Sequence, residues 1–380
     1  MSSHQRFVFI DLLRGLAVFV MIEVHVVNAL LLPGLRTGDL FRVVNFINGL
    51  VAPSFIFIAG FAFAISTRRR WNDYTTLSKP LAMHLRRLAV ILLVGYMLHL
   101  PYFSFHKLMN EATPHDWEKF FQVDVLHCIA FSLIFLQFLV LIFKSEKWTY
   151  GIAGALGLIF IFGAPLVWMH DFAEFLPLPV ASYMNNIHYS LFPLFPWSGF
   201  LMAGAVTSYF FVRAVDDGKL GQFMKWAAIA GVLMIVGGVA FNMIPGSIYP
   251  KVDYWRTSPQ FFFIRLGIVM LLLVGLWWGE QKFGYGGSFL TRFGQESLLV
   301  YSTHLMIIYG SFLGDRSIAT YIGRTQGWGT SLIVTAGLIT AMIGLAYLWH
   351  WLKKDQKIAT RVIQWSGAAI FIITFLWRQY

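Results

Sequence analysis

Long apolar runs recur along the chain, separated by short polar segments. A helix needs about 20 apolar residues to cross the hydrocarbon of a bilayer. Eleven stretches qualify, at approximately 9–31, 43–65, 88–104, 123–143, 148–169, 190–212, 223–244, 261–279, 295–313, 328–350 and 362–378. The third and the last are the shortest. The pattern predicts an all-α, polytopic integral membrane protein of about 11 transmembrane helices, forming a single transmembrane domain over 1–380. No intervening loop is long enough to be a separate soluble domain. No internal repeat stands out, which weighs against an inverted-repeat carrier. The first run does not read as a cleavable signal peptide, because Asp11, Arg14, Glu23 and His25 interrupt its apolar stretch.

Composition agrees with the pattern. Hydrophobic residues make up 58% and charged residues 12%, and mean hydropathy is +0.66. An ordinary soluble domain is about 25% charged, so a water-soluble enzyme and a disordered chain are both excluded. The net charge of +11 would suggest a nucleic-acid partner in a soluble protein. Here its distribution carries topology instead. Arg68, Arg69, Arg70, Lys79, Arg86 and Arg87 fall between the second and third runs, and Lys353, Lys354, Lys357 and Arg361 between the tenth and eleventh. With a cytoplasmic N-terminus both clusters lie inside, as the positive-inside rule requires, and the C-terminus lies outside. Cys128 is the one cysteine, so no intrachain disulfide forms. No CxxC, HExxH, phosphate-binding P-loop or GxSxG pattern is present, and no metal site is expected.

Charges inside the runs are the chemical anomaly. A charge at mid-bilayer costs about 2.5–3.5 kcal/mol on insertion scales, yet the first run holds Asp11, Arg14 and Glu23, with His25 beside them. Asp11 and Arg14 are three apart and can pair along one helix face. Arg14 and His25 are eleven apart, which puts them on one face about 16 Å apart along the axis. Glu23 points the other way and must meet another helix or be protonated. The run Asn45 to Gly60 carries Pro53 and Gly60, and is expected to kink and pack tightly. Asp124 and His127 share a face at the start of the fourth run, where one can orient the other as a general base requires. Glu296, Tyr301 and His304 form a polar stripe on the ninth, and Arg265 enters the eighth, with Asp253 or Glu296 as its expected partner. Each group also has a structural alternative: an interfacial cap for Asp11, an ion pair for Arg14, a hydrated pair for Asp124 and His127, a packed stripe for the ninth run. An inner cation and an outer imidazole on one stripe suit a transfer reaction with a cytosolic anionic donor. Arg grips phosphate bidentately, and His, with an ordinary pKa near 6.5, can take a proton from a hydroxyl or amine.

These residues resemble the transmembrane acyltransferase superfamily. Ile10-Asp11-Leu-Leu-Arg14-Gly15-Leu-Ala is similar to its opening motif. Arg14 and His25 stand at the Arg-x10-His spacing of the acyltransferase-3 enzymes. The remainder is closer to bacterial relatives of heparan-α-glucosaminide N-acetyltransferase. This likeness runs through Pro53-Ser-Phe-Ile-Phe-Ile-Ala-Gly60, Leu85-Arg86-Arg87-Leu88, Asp124-Val-Leu-His127-Cys-Ile-Ala, Phe192-Pro-Leu-Phe-Pro196-Trp197-Ser-Gly199-Phe and Phe293-Gly294 through Tyr301 and His304. It covers most of the chain and is weakest after about residue 310. The heparan-type enzymes carry an active His in the loop before the second run. Here that loop reads Leu35-Arg-Thr-Gly-Asp39-Leu-Phe-Arg42-Val-Val, without His, and Gly49 replaces the Asp of the following motif. The base therefore falls to His25.

The resemblance implies an enzyme of a bacterial inner membrane. It would move an acetyl or other acyl group from cytosolic acyl-CoA to a hydroxyl or amine of an extracytoplasmic glycan or glycolipid, with acetyl-CoA or another acyl-CoA as donor and no metal. His25 would be the base. Asp11 would position Arg14, and Arg14, Arg86 and Arg87 would hold donor phosphates. His127 and His304 would join the catalytic set, with Asp124, Glu23, Tyr301 and Arg265 on the substrate. The lipid bilayer is the expected surrounding and a homodimer one option for assembly. The same intramembrane charges also fit a proton-coupled transporter or flippase for an anionic lipid or sugar.

Overall fold

A computed structural model describes residues 6–244, 246, 248–284, 288–310 and 317–378. Among them every regular element is helical, apart from an isolated bridge between Leu31 and Gln326. The principal helices are α1 (Val8–Leu30), α2 (Asp39–Asn48), α3 (Val51–Arg69), α4 (Lys79–Leu98), α5 (Val125–Phe143), α6 (Glu146–Val167), α7 (Leu194–Asp216), α8 (Leu220–Asn242), α9 (Pro259–Phe283), α10 (Phe289–Gln295), α11 (Ser297–Tyr309), α12 (Trp328–Asp355) and α13 (Lys357–Trp377). Among the described residues nine helical stretches are long and apolar enough to cross a membrane, with α2 and α3 counted as one. At 23 residues α1 has the length as well, but carries Asp11, Arg14 and Glu23. At 13 residues α11 is short.

Three expected runs are redrawn. The second breaks at Gly49 rather than at Pro53: the Gly49 N–H closes α2 on the Asn45 carbonyl and the Leu50 N–H on that of Ile47. The third starts at Lys79, because charged residues are tolerated in its first turns, and stops at Leu98 before Pro101. The ninth is interrupted at Glu296, where α10 ends and α11 begins.

The chain forms two compact units. The first comprises Met1–Leu13, Ala52–Gly95 and Phe121–Gly284, and the second Arg14–Val51, Tyr96–Phe120 and Tyr285–Tyr380. In the first unit, glycines set the closest helix contacts. A Cβ on Gly60 of α3 would lie 2.0 Å from the Leu201 carbonyl oxygen of α7, and one on Gly204 of α7 would lie 2.0 Å from that of Phe57. The two backbones touch, as membrane helices do where small residues face each other. Phe9, Phe57, Phe61, Phe200 and Phe211 fill the interior nearby. Arg68 at the end of α3 joins Glu146 (2.6 Å) and Asp216 (3.5 Å), and Glu280 accepts the Phe9 N–H at the start of α1 (2.9 Å).

In the second unit the remaining length of α1 packs on α10. A Cβ on Gly15 would lie 1.9 Å from the Leu290 carbonyl oxygen. Phe103 is buried against Phe371 and Phe375 of α13.

Candidate active site

His304 lies in the middle of α11 and is fully buried. Its Nδ1 is 2.7 Å from the Val300 carbonyl. A carbonyl only accepts, so Nδ1 carries the proton and the neutral ring leaves its lone pair on Nε2. That Nε2 is buried and has no hydrogen-bond partner among the described residues. The His25 ring from α1 stands 5.3 Å away, centroid to centroid, tilted by 45°. The Tyr301 ring packs edge-on to His304 at 5.9 Å. The sequence expectation placed His25, Tyr301 and His304 in the site, and the structure brings the three together.

Three residues that the sequence reading did not single out hold the end of α1 at this point. The last carbonyls of a helix lack intrahelical partners. The Tyr309 hydroxyl donates to the His25 carbonyl (3.2 Å) and lies 3.5 Å from His25 Nδ1. Arg36 donates to the carbonyls of Val27, Asn28 and Leu31 at 3.1, 2.9 and 3.2 Å. Arg324 donates to Asn28 at 3.2 Å. Burial, then the like charge of Arg324, pushes the Arg36 guanidinium below its ordinary pKa. Cations at a helix C-terminus also meet the negative end of its dipole. The signal available in sequence was Tyr309, five residues beyond His304 in the same run. Arg36 and Arg324 carry no spacing that marks them.

At the other end of this helix segment, Arg14 Nη1 approaches the Gly294 carbonyl at 3.4 Å, one of the unpaired carbonyls closing α10. With Gly15 against Leu290, the Arg-Gly pair seats α1 on α10. Glu23 is half-buried, with the Asn48 side chain of α2 as a polar neighbour from another helix. Glu296 is buried and engaged by Lys353 (2.6 Å) and His350 (3.2 Å).

The other expected site residues belong to the first unit. Asp11 is bound by Arg6 at 2.7 Å, rather than only facing Arg14 along the helix. Asp124 caps α5, accepting from the backbone N–H groups of Leu126 (2.8 Å) and His127 (3.2 Å). The same carboxylate oxygen lies 2.9 Å from His127 Nδ1. Nδ1 also lies 3.3 Å from the Asp124 backbone N–H, which completes a capping box between the two residues. Gly95 makes room for this imidazole: a Cβ on it would lie 2.8 Å from His127 Cε1. Arg86 and Arg87 are exposed on α4. Arg265 stacks on Phe261 (4.0 Å) and Trp197 (5.8 Å); Asp253, one of its two expected partners, acts on it by charge without closing an ion pair.

Fold and site together define a polytopic helical membrane protein in which the buried His304 ring lies against the half-buried His25 ring. Residues 6–241 match the family of the heparan-alpha-glucosaminide N-acetyltransferase catalytic domain. The match covers more than half of the chain, which belongs to this family of membrane acyltransferases. It contains His25, whereas His304 and Tyr309 lie beyond its end. No curated protein matches the chain.

Proposed function

We propose that the protein moves an acetyl group from acetyl-CoA to an amine or hydroxyl of a sugar-containing acceptor outside the cytoplasm of a bacterial cell. The observation that carries this reading is the bare, buried Nε2 of His304 beside His25. A neutral imidazole with its proton fixed on the far nitrogen is ready to act as a general base. His304 Nε2 takes the proton from the acceptor as its oxygen or nitrogen attacks the thioester carbonyl. The carbon–sulfur bond breaks and coenzyme A leaves as the thiolate. His25, held through its carbonyl by Tyr309, shares the developing positive charge and aligns the acceptor. The base assigned to His25 on sequence grounds is thus shared by a pair. Arg86 and Arg87, on the positive-inside stretch, are the proposed contacts for donor phosphates. Arg14 is assigned to seating α1 on α10.

The test is a reconstituted assay with labelled acetyl-CoA and a glucosaminide acceptor. A general base contributes typically 10²–10⁴-fold, so His304→Ala and His25→Ala should each lose at least about 100-fold in kcat. Full activity in His304→Ala would reject the assignment. Counterflow of labelled sugar without coenzyme A release would favour the transporter reading.

A further inference from the structure

In the first unit the starts of α7 and α9 meet around a recess lined by Trp197, Phe200, Trp255, Arg256, Phe261 and Arg265. The helix starts offer few free backbone donors here, since Pro196 and Pro259 have no N–H and Ser258 caps the Phe261 N–H, so donors must come from side chains. The flat faces of the Arg265 guanidinium are covered by aromatic rings. Its edge is not served: among the described residues no hydrogen bond or ion pair engages it, and its Nε is buried without an acceptor. The indole N–H of Trp197, a residue only 7% exposed, is also buried and unpaired. A guanidinium and an indole can only donate, so both lack the same thing, an acceptor. Asp253 does not supply it. That carboxylate lies 3.9 Å from Arg256 and accepts from the Trp255 N–H at 3.0 Å. The guanidinium is half-buried, and Asp253 acts on it by charge without accepting a hydrogen bond from it, which makes an anionic ligand a natural complement.

We propose that this recess binds a phosphate group, held by the edge of Arg265 and the indole N–H of Trp197, with Arg256 closing over it. Donors arriving from several directions suit a tetrahedral set of oxygens better than a flat carboxylate. The aromatic walls suit the apolar part of a membrane amphiphile. The recess is filled by its own side chains. A guest therefore enters only by displacing Arg256, whose side chain is 57% exposed, and a headgroup asks for less displacement than a whole sugar. The site is independent of the histidine pair and does not rest on the acyl-transfer reading.

The full chain, purified in nanodiscs, is melted in phosphatidylcholine alone, with added phosphatidylglycerol, and with millimolar inorganic phosphate. Wild type should gain several degrees in Tm from at least one anion. Arg265→Gln should lose that gain, and Trp197→Phe, which keeps a ring and deletes only the N–H, should lose at least half of it. A response to the lipid alone identifies a headgroup, and an equal response to inorganic phosphate identifies a soluble ligand. No gain in wild type from either, or a full gain in Trp197→Phe, would overturn the proposal. The latter measurement decides the matter if Arg265→Gln does not fold.

Discussion

The His25 and His304 rings lie 5.3 Å apart, and both are tied to the same helix. His304 donates to Val300 on its own helix. The His25 carbonyl receives Tyr309, from the last position of that same helix. α11 therefore fixes one ring directly and the other through the end of α1. Tyr309→Phe removes only the hydroxyl. A neutral hydrogen bond contributes about 1 kcal/mol, so kcat should fall roughly fivefold to tenfold with little change in Tm or in KM for acetyl-CoA. Unchanged kcat in steady-state assays would mean that the contact does not position His25.

The α3–α7 contact predicts a sharp contrast among glycines. A Cβ at Gly60 or Gly204 would lie 2.0 Å from a carbonyl oxygen of the facing helix, and backbone cannot step aside cheaply. Gly60→Ala and Gly204→Ala should each cost about 3 kcal/mol, the upper part of the range for overpacked sites. Gly151 and Gly237 also lie in helices, but a Cβ on either meets nothing within 4 Å. Gly151→Ala and Gly237→Ala should be neutral, or stabilising by up to about 1 kcal/mol, through helix propensity. Thermal melts of the four variants in one detergent would separate the classes.

The spans were legible because length and hydropathy decide whether a segment crosses a bilayer. Where they end was less so, since neither the glycine at Gly49 nor the carboxylate at Glu296 announces that the backbone breaks there. Within the site, His25, Tyr301 and His304 were readable as titratable or hydroxyl groups where lipid makes them costly. Their convergence was not readable, because α1 and α11 are separated by hundreds of residues. Arg14 shows the opposite limit. Its place in a lipid run marked it as unusual, but not that its guanidinium would reach the carbonyl closing α10. Asp11 was expected against Arg14. Arg6, five residues before it, lay outside the apolar run and so outside the pattern being read.

Asp171 gives a prediction in the loop after α6. Its carboxylate accepts from His188 at 2.8 Å and from the Ala173 N–H at 2.9 Å. The His188 hydrogen bond, first, and the backbone N–H hold its pKa below the usual 3.8. A depressed carboxylate stabilises the folded loop above its unfolded pKa, and that contribution is lost as pH falls through the lower folded value. Protection of residues 170–189 in hydrogen exchange should therefore fall below about pH 4. Asp171→Asn should lower protection throughout and remove the acid-dependent part. An unaltered acid profile in that variant would assign the transition to another group.

Gly95 and His127 separate a structural role from a catalytic one in the first unit. His127 is fully buried, and its Nδ1 is held by Asp124, which also caps α5. Gly95 on α4 is the only size that leaves the ring in place: a Cβ there would lie 2.8 Å from Cε1 and 3.0 Å from both ring nitrogens. The imidazole is pinned at one edge, so Gly95→Ala must either tilt it away from Asp124 or part α4 from α5. Overpacking of this kind costs about 1–3 kcal/mol, and a weakened cap adds about 1 kcal/mol. If the Asp124–His127 pair serves to start the helix, as its capping geometry indicates, the variant should melt several degrees lower. Its kcat and KM, measured well below the melting transition, should match wild type. A fall in kcat comparable to that of His304→Ala, in protein that remains folded at the assay temperature, would instead return His127 to the catalytic set in which its sequence position first placed it.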